Sequence, residues 1–403
     1  MKKCDFCGTE ETKDNKVISG GEHNICKSCA ETALYLIEIS KHDYKKDNYN
    51  KDTQYNTKSI EKKYKSPKDY KKILDTYVIG QEDAKKVLSV AVYNHLQRIH
   101  NPEAKIDKSN VLFIGPTGSG KTYLAETIAK HLDIPLAIVN TTSLTAAGYV
   151  GEDVSSVIER LWKDAGEDVQ KAERGIIFLD EIDKNASSLG GTNNKDVSGK
   201  AVQQELLKIL EGDKVKIYPE GSAKNRKSGQ AIEIDTNKML FIAGGAFVGL
   251  KDKPGVKISA LGHVGSNEDI SNIKMQDLLD NYGIIPEFYG RFPNIVELEE
   301  LDIKSMESIM TEPENSIISQ YKTLFSLSEV NLDFTKKFID KVSNEALEVK
   351  TGARGLRTIM EDKLKDVMFN IDDYKGSNIT IDYSYNKIKT IKTNGEYSEQ
   401  KAE

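Results

Sequence analysis

Short apolar runs and amphipathic segments alternate along the middle of the chain. The apolar runs predict buried strands at residues 111–114, 136–139, 176–179 and 238–243. Segments with apolar residues at helical spacing lie before and between these runs, at residues 82–99, 123–131, 154–165 and 202–210. Alternating strands and helices are typical of a parallel sheet that is covered by helices on both faces. The sequence therefore predicts an α/β fold for this region.

Both ends of the chain have different patterns. After Leu301 the pattern is helical and then strand-like at 378–383 and 387–391, which predicts a second, smaller α+β domain. Residues 41–66 contain no Gly or Leu and show no sustained period, as flexible linkers do. The long stretch 249–271 is rich in Gly, Lys and Ser, and loops of this length are usually functional or disordered. We expect domains at 1–40, 67–300 and 301–392, a linker at 41–66 and a disordered tail at 393–403.

Composition and charge narrow the possible functions. The formal net charge of −6 argues against nucleic acid as the main partner. Between Lys41 and Lys72 there is a local excess of lysine, which indicates either a solvated tether, the interpretation that we favour, or a contact with an anionic partner. No apolar run approaches the roughly 20 residues of a membrane span, and no apolar stretch of a signal peptide follows Met1. We expect a cytoplasmic protein.

The clearest motif is a phosphate-binding loop. Residues 115–122 fit the pattern G-x-x-x-x-G-K-[ST], and they lie between a predicted strand and a predicted helix, as the motif requires. The candidate nucleotide-binding residues are Gly115, Pro116, Thr117, Gly118, Ser119, Gly120, Lys121 and Thr122. Glycines allow backbone N–H groups to converge on a phosphate, and the start of the helix adds partial positive charge. Lys121 would reach the β- and γ-phosphates, and the Thr122 hydroxyl would bind Mg²⁺.

Two carboxylates follow the apolar run 176–179. A parallel strand delivers its last residues to the ligand crevice at the carboxyl end of the sheet. Asp180 would therefore hold Mg²⁺, and Glu181 would polarise the attacking water. Behind a phosphate-binding loop, this pair favours ATP hydrolysis over simple nucleotide binding.

All four cysteines lie within the first 29 residues. Cys4, Cys7, Cys26 and Cys29 form two C-x-x-C pairs, and this spacing predicts a structural Zn²⁺ site made of four thiolates. Free or disulfide-bonded cysteines are the alternative, and a cytosolic chain disfavours disulfides. The apolar residues from Leu34 to Ile39 either cover the core of this small module or form a surface for a partner.

The phosphate-binding loop, the pair Asp180–Glu181 and the trailing small domain together resemble the AAA+ ATPases. The four-cysteine module narrows the resemblance to the ClpX family of protein-unfolding ATPases, which feed the ClpP protease. The resemblance runs from Cys4 to about Asp366. It implies a homohexameric ring with ATP, Mg²⁺ and Zn²⁺ as cofactors, and with protein substrates, adaptors and a ClpP-type peptidase as partners.

The resemblance also implies roles for residues that carry no clear signal of their own. Val78 and Ile79 match the segment that contacts adenine, and Tyr149 and Val150 match the first pore loop, which grips the substrate. Residues 185–199 match the second pore loop, with Lys195 in place of the usual Arg.

Two arginines are placed near the phosphates by the same resemblance. Arg291 matches the arginine that reaches the γ-phosphate of the neighbouring subunit, and such a residue can be worth about 10³–10⁵ in rate. Arg354 matches the arginine that senses the nucleotide within its own subunit.

The sequence departs from the family at two contact points. In the stretch Leu261, Gly262, His263, which corresponds to the tripeptide that docks on ClpP, histidine replaces the aromatic anchor. This change predicts weaker docking or a different partner. At the pore entrance Arg226 and Lys227 remain, while Ser228 replaces a histidine.

These observations favour an ATP-dependent unfoldase that works with ClpP. One alternative is a remodelling chaperone that acts without ClpP, which the change at His263 motivates. A nucleic-acid motor is disfavoured by the acidic composition. A ring scaffold that binds ATP without hydrolysing it is disfavoured by the presence of Glu181 and Arg291.

Overall fold

The computed structural model describes most of the chain. The described residues are 3–5, 7, 9, 16–20, 23–27, 29–30, 66–145, 152–186, 194–218, 231–250, 279, 282–349, 351–384, 387–392 and 397–398. Residues 1–62 and residues 63–403 form separate compact units. In the first unit, β1 (Val17–Gly20) and β2 (His23–Cys26) form an antiparallel hairpin.

A five-stranded sheet lies at the centre of the second unit. The strands in this part of the chain are β3 (Val111–Ile114), β4 (Leu136–Asn140), β5 (Ile176–Asp180), β6 (Lys214–Ile217), β7 (Ile232–Asp235), β8 (Leu240–Gly245) and β9 (Asn294–Glu297). The sheet has the order β4-β5-β8-β3-β9, and all of its pairings are parallel. Strands β6 and β7 form a separate antiparallel pair. The four predicted strands are confirmed, whereas β6, β7 and the edge strand β9 were not predicted.

Helices surround this sheet. They are α1 (Pro67–Tyr77), α2 (Glu82–His100), α3 (Lys121–His131), α4 (Val154–Asp164), α5 (Val169–Ala172), α6 (Asn194–Glu211) and α7 (Pro286–Tyr289). The four predicted helices are confirmed, with ends that move by a few residues, except that α6 starts eight residues before the predicted Val202. One buried cluster fills the space between the helices and the sheet, and it includes Leu161, Leu179, Leu206, Phe241 and Phe288.

The prediction of a loop over residues 185–199 is wrong at its C-terminal end, because α6 begins at Asn194. A Cβ at Gly199 would lie 2.6 Å from the carbonyl oxygen of Asn185, so this glycine permits a close backbone contact inside a helix. Asn185 itself belongs to the 3₁₀ turn Ile182–Asn185.

The C-terminal part of the second unit is a smaller α+β layer. Its elements are α8 (Ile303–Thr311), α9 (Ile317–Ser326), β10 (Asn331–Phe334), α10 (Lys336–Glu348), α11 (Ala353–Phe369), β11 (Asn378–Ser384), β12 (Lys387–Lys392) and β13 (Tyr397–Ser398). The strands form a sheet in the order β10-β11-β12-β13. The helices pack into a second buried cluster that includes Phe325, Phe338, Leu356, Met360 and Leu364.

The predicted disorder of the tail from residue 393 onward does not hold for Tyr397–Ser398. These two residues pair antiparallel with Thr390 and Ile391 of β12. The unpaired backbone groups of an edge strand offer hydrogen bonds to any nearby segment, which explains why the tail adds a short strand there.

His95 gives the fold a specific sensitivity to acid. The side chain of His95 on α2 is buried, and its Nε2 lies 2.9 Å from the carbonyl oxygen of Arg174. Burial is the main cause that lowers the pKa of His95 to about 3, and the positive charges of Arg98 and Lys108 add to the shift. Below a pH of about 6.5, His95 binds a proton in the unfolded chain but stays neutral in the folded chain. Stability is therefore lost as the pH falls from about 6.5 toward 3.

We expect a His95→Gln variant to lose this sensitivity. The glutamine amide can still donate to the Arg174 carbonyl, but it does not titrate. Between pH 7 and pH 5 the free energy of unfolding of the wild type should fall by about 2 kcal/mol more than that of the variant, because each pH unit contributes about 1.4 kcal/mol. Denaturant titrations at both pH values test this. Equal losses in the two proteins would contradict it.

Candidate functional site

The four cysteines of the first unit converge on one point. Their sulfur atoms all lie within 4.8 Å of one another, and the Sγ atoms of Cys7 and Cys26 are 3.7 Å apart. Tetrahedral Zn–S bonds of about 2.3 Å place neighbouring sulfurs roughly 3.8 Å apart, so the donor set fits Zn²⁺. The backbone N–H of Cys26 donates to Cys4 Sγ at 3.2 Å, as is common around metal-bound sulfur. The buried core of the described part of this unit is Cys4, Val17 and Cys26, so we expect its fold to depend on the metal.

The phosphate-binding loop connects β3 to α3. The Gly115 N–H donates to the carbonyl of Gly245 at the end of β8, and Gly118 and Gly120 have φ angles of 78° and 99°. The Lys121 Nζ donates to the carbonyl oxygens of Gly115 at 2.6 Å and Pro116 at 2.8 Å. These contacts hold the ammonium inside the loop, where phosphate oxygens would compete for it.

Burial lowers the pKa of Lys121, whereas the nearby carboxylates of Asp180 and Asp183 act in the opposite direction. The Lys121 ammonium is therefore largely removed from water, and the nearby negative charge partly offsets the cost of its burial. A desolvated ammonium attracts an anionic ligand more strongly than one in water.

The predicted carboxylates stand at the end of β5. The Thr122 hydroxyl donates to Asp180 Oδ2 at 3.0 Å, so a hydroxyl and a carboxylate oxygen meet beside Lys121. Oxygen ligands of this kind are those that Mg²⁺ prefers, and the pair fits that ion. Glu181 has a φ of 57°, and its backbone N–H donates to Asp180 Oδ1 at 2.9 Å.

Asn140 was not predicted from the sequence. Its Nδ2 donates to Glu181 Oε2 at 3.0 Å. Asn140 ends β4, and it pairs in register with Asp180 at the end of the neighbouring strand β5. The only signal in the sequence was a polar residue directly after an apolar run. The order of the strands, with β4 next to β5, is what places this residue beside Glu181.

A cavity of about 630 Å³ opens beside the loop. Residues Thr117 to Thr122 line it, and so do Val78, Ile79, Asp180, Glu181 and Arg354, which were also predicted. The predicted residues Gly115 and Pro116 are not part of the lining. Residues from the small C-terminal layer close the opposite side, among them Asn315, Ile317 and Ala353. A cavity of this size with a few converging polar groups is typical of small-molecule sites.

Gln81 fixes the segment whose residues Val78 and Ile79 line the cavity. The match of residues 78–81 to the adenine-contacting segment did not predict this anchoring role. Its Nε2 donates to the carbonyl oxygens of Glu299 at 2.9 Å and Ser119 at 3.3 Å. Its Oε1 accepts from the Glu299 N–H at 2.9 Å. The buried amide thus ties residues 78–81 both to the phosphate-binding loop and to the segment that leads into the small layer.

Two glycines bring the phosphate-binding loop into contact with the start of α11. A Cβ at Gly118 would lie 2.4 Å from the carbonyl oxygen of Thr351, and a Cβ at Gly352 would lie 2.7 Å from the Cα of Gly118. The Ala353 N–H donates to the Gly118 carbonyl at 3.2 Å. Arg354 follows in the first turn of α11, where it lines the cavity.

We expect a Gly352→Ala variant to lose ATP affinity as well as stability. Gly352 has φ 60° and ψ −150°, a conformation that is strained by about 1–3 kcal/mol for other residues. The added methyl would also force Gly118 and α11 apart. A Gly376→Ala variant is the matched control, because φ there is 73° and a Cβ would meet nothing within 4 Å.

Thermal melting and titration with a fluorescent ATP analogue separate the two effects. Both variants should melt at a lower temperature than the wild type. Only Gly352→Ala should bind the analogue at least about tenfold more weakly, a loss of about 1.4 kcal/mol. Equal affinities in the two variants would show that the contact with Gly118 does not serve the cavity.

Arg291 lies outside the cavity of its own chain. Its guanidinium forms an ion pair with Glu211 at the end of α6, and the two side chains are 47% and 48% exposed. Its backbone carbonyl accepts from the Asn110 side chain at 2.9 Å, which anchors the residue beside the sheet.

Several predicted contact residues lie outside the described residues. They are Tyr149 and Val150 of the first pore loop, Arg226, Lys227 and Ser228 of the pore entrance, and Leu261, Gly262 and His263 of the docking stretch. Lys195 lies in the first turn of α6.

Parts of the chain match known protein families. Residues 2–38 match the ClpX C4-type zinc finger, and residues 106–295 match the AAA domain (Cdc48 subfamily). Residues 301–371 match the C-terminal D2-small domain of ClpB protein. The match to the AAA domain is consistent with a nucleotide site in the cavity beside the phosphate-binding loop. The match to the zinc finger is consistent with the cluster of four cysteines.

Curated relatives match over nearly the whole length. A protein of Porphyromonas gingivalis, named ATP-dependent Clp protease ATP-binding subunit ClpX, is 41% identical over 397 residues, which cover 95% of this chain and 94% of the relative. The protein of the same name from Bacteroides thetaiotaomicron is 42% identical over 407 residues, which cover 96% of each chain.

These findings establish the biochemical class. The chain is an ATPase with ATP as its nucleotide, and the four cysteines bind Zn²⁺. Among the described residues, no helix combines the length and the apolar character that a membrane span requires. Because the similarity extends from the zinc finger through both parts of the ATPase, the chain belongs to the ClpX family.

Proposed function

We propose that the chain forms a homohexameric ring in the cytoplasm. The ring uses ATP hydrolysis to unfold proteins, pulls them through its centre and passes them to a ClpP-type peptidase. The names of the relatives, which are ATP-binding subunits of ATP-dependent Clp proteases, support this proposal. The number of subunits, the location and the peptidase rest on the family resemblance.

The position of Arg291 is the observation that carries the proposal. The side chain is half exposed and lies outside the cavity that Lys121, Asp180 and Glu181 line. A cation that stabilises the charge on the γ-phosphate must reach the reacting group, and Arg291 does not line the cavity of its own chain. In a ring in which Arg291 of one subunit faces the cavity of the next, the guanidinium could contact the γ-phosphate that is bound there.

Within one subunit, the roles follow from the contacts around the cavity. Lys121 would exchange the carbonyls of Gly115 and Pro116 for phosphate oxygens. Thr122 and Asp180 would hold Mg²⁺, which neutralises the charge that develops on the phosphates. Glu181 would accept a proton from the attacking water, and Asn140 would hold its carboxylate in place until then.

Arg354 would couple the nucleotide to the small layer. It lines the cavity from the first turn of α11, and the preceding residues touch Gly118 of the phosphate-binding loop. A change at the γ-phosphate would therefore act on α11 directly and alter the angle between the two parts of the unit. This is a hinge movement of the kind that often accompanies nucleotide hydrolysis.

Tyr149 and Val150 would convert this movement into a pull on the substrate. The test uses a folded fluorescent protein that carries an unstructured tag. With ATP the wild type should abolish the fluorescence, and a Tyr149→Ala variant should hydrolyse ATP but leave the fluorescence intact. A purified chain that stays a monomer with ATP and Zn²⁺, yet hydrolyses ATP at the full rate, would refute the ring.

His263 favours a second candidate function, a remodelling chaperone that acts without ClpP. An aromatic anchor in a hydrophobic pocket is a typical hot spot, and an imidazole fills such a pocket less well. A pull-down with a ClpP-type peptidase separates the two functions, with His263→Phe as the comparison. Tight binding of the wild type supports the protease partner. Binding by the variant alone supports the remodelling chaperone.

A further inference from the structure

A third carboxylate, that of Asp183, lies beside the cavity and takes no part in the hydrolysis steps proposed for Lys121, Asp180 and Glu181. Asp183 belongs to the 3₁₀ turn that follows β5, and its side chain is only 1% exposed. Its Oδ1 accepts from the Ala246 N–H, directly after β8, at 3.2 Å. The carboxylate therefore joins the ends of two central strands at the edge of the sheet where the ligand binds.

The other oxygen of Asp183 is unsatisfied. Oδ2 is buried and has no hydrogen-bond partner among the described residues. The Lys184 ammonium is 3.8 Å away and 56% exposed, too distant for a hydrogen bond. A buried carboxylate oxygen without a donor is costly, so an oxygen that persists in this state indicates a donor that arrives with a ligand.

The chain leaves space for this carboxylate. A Cβ at Gly245, the last residue of β8, would lie 2.8 Å from Asp183 Oδ1 and 2.5 Å from the ring of Phe247. Any larger residue at 245 would displace the carboxylate or the ring. The Gly245 carbonyl also accepts from the Gly115 N–H at 3.1 Å, so Asp183 is held close to the phosphate-binding loop.

Asp183 lines the same cavity as Thr122 and Asp180, the groups that fit Mg²⁺. Burial lowers the pKa of Lys121 in this cavity, and the charges of Asp180 and then Asp183 oppose that lowering. Asp180 in turn accepts from the Thr122 hydroxyl. Two carboxylates that face a triphosphate repel it unless a cation lies between them. Mg²⁺ usually keeps several of its waters when it binds to proteins, and these waters are donors.

We propose that Asp183 Oδ2 accepts a hydrogen bond from a water that Mg²⁺ carries, which makes Asp183 an outer-shell positioning residue for the bound metal. The proposal rests on ATP binding in the cavity and does not require a ring. Outer carboxylates of this kind orient the ligands of a metal, and their loss typically costs about 10–100-fold in metal affinity or activity.

The test measures metal binding rather than hydrolysis. Mn²⁺ serves as the probe in place of Mg²⁺, and electron paramagnetic resonance counts the free ion in the presence of full-length protein and ADP. We expect Asp183→Asn to weaken Mn²⁺ binding to the ADP complex by about 10–100-fold. Its affinity for a fluorescent ADP analogue without added divalent cation should stay within about twofold of the wild type. Chelators are avoided, because they would remove Zn²⁺.

Two further variants complete the design. Asp372→Asn removes an exposed carboxylate in the small layer and should leave Mn²⁺ binding unchanged. If Asp183→Asn does not fold, Asp183→Ser is used instead. The hydroxyl of the introduced serine can still accept from the Ala246 N–H.

Each outcome decides the question. Wild-type affinity for Mn²⁺ in a variant that binds ADP normally overturns the proposal, and a lower rate of hydrolysis in that variant would assign Asp183 to the attacking water instead. Loss of ADP binding in both Asp183→Asn and Asp183→Ser also overturns the proposal, since Asp183 would then only support the fold. If ADP does not tighten Mn²⁺ binding to the wild type, the assignment of the cavity itself fails.

Discussion

A Glu181→Gln variant is expected to bind ATP as tightly as the wild type and to hydrolyse it about 10²–10⁴ times more slowly, the usual contribution of a general base. Glutamine keeps the size of the side chain and can still bond to Asn140, whose Nδ2 lies 3.0 Å from Glu181 Oε2. It cannot accept a proton from water. Titration with a fluorescent ATP analogue and a phosphate-release assay measure the two effects separately.

The backbone at residue 181 requires a control of its own. Glu181 has a φ of 57°, so a loss of activity could arise from a distorted turn rather than from the missing base. Glu167 is an exposed glutamate with a φ of 63°, away from the cavity, and Glu167→Gln makes the same chemical change in the same backbone conformation. This control should retain full activity. Normal turnover by Glu181→Gln would remove Glu181 from its proposed role.

Mixed assemblies of Arg291→Ala and Lys121→Ala subunits should recover part of the activity that each variant lacks alone. Arg291→Ala alone should lose about 10³–10⁵ in rate, because it removes the cation that acts in a neighbouring cavity. Lys121→Ala alone should fail at phosphate binding. In a mixed ring, an intact cavity of an Arg291→Ala subunit can face an intact arginine of a Lys121→Ala subunit.

The control for the first variant is another exposed ion pair. Lys322 pairs with Asp333 at 2.6 Å, and its side chain is 47% exposed, the same fraction as that of Arg291. Exposed ion pairs contribute about 0–1 kcal/mol to the free energy of unfolding. Lys322→Ala should therefore leave the fold intact and change the rate of hydrolysis little. Mixed rings without recovered activity, measured over a range of mixing ratios, would argue that Arg291 acts within its own chain.

Local pattern predicts much of this fold. The run Val111–Ile114 is apolar and fully buried, and the motif that follows it places Lys121 at the start of a helix by spacing alone. Asp180 and Glu181 are predictable for the same reason, because the end of a buried parallel strand faces the ligand. The spacing of the four cysteines predicts the cluster that the structure shows.

The remaining site residues depend on contacts between distant parts of the chain. Gln81 bonds to the backbone of Glu299, 218 residues away, and the match of residues 78–81 to the adenine-contacting segment does not reveal this contact. Asn140 and Asp183 gain their positions from the order of the strands, which local pattern does not reveal. The helical start of α6 within the predicted loop 185–199 was missed, and Gly199 there makes a close contact with the backbone of Asn185.

The contact between Gly118 and Gly352 has a consequence for the order of events in a catalytic cycle. Neither residue has a side chain that could adjust, so the two backbones form a rigid contact. We expect ADP, bound against the phosphate-binding loop, to leave no faster than these two backbones separate. The rate of nucleotide exchange should then depend on force applied to the small layer.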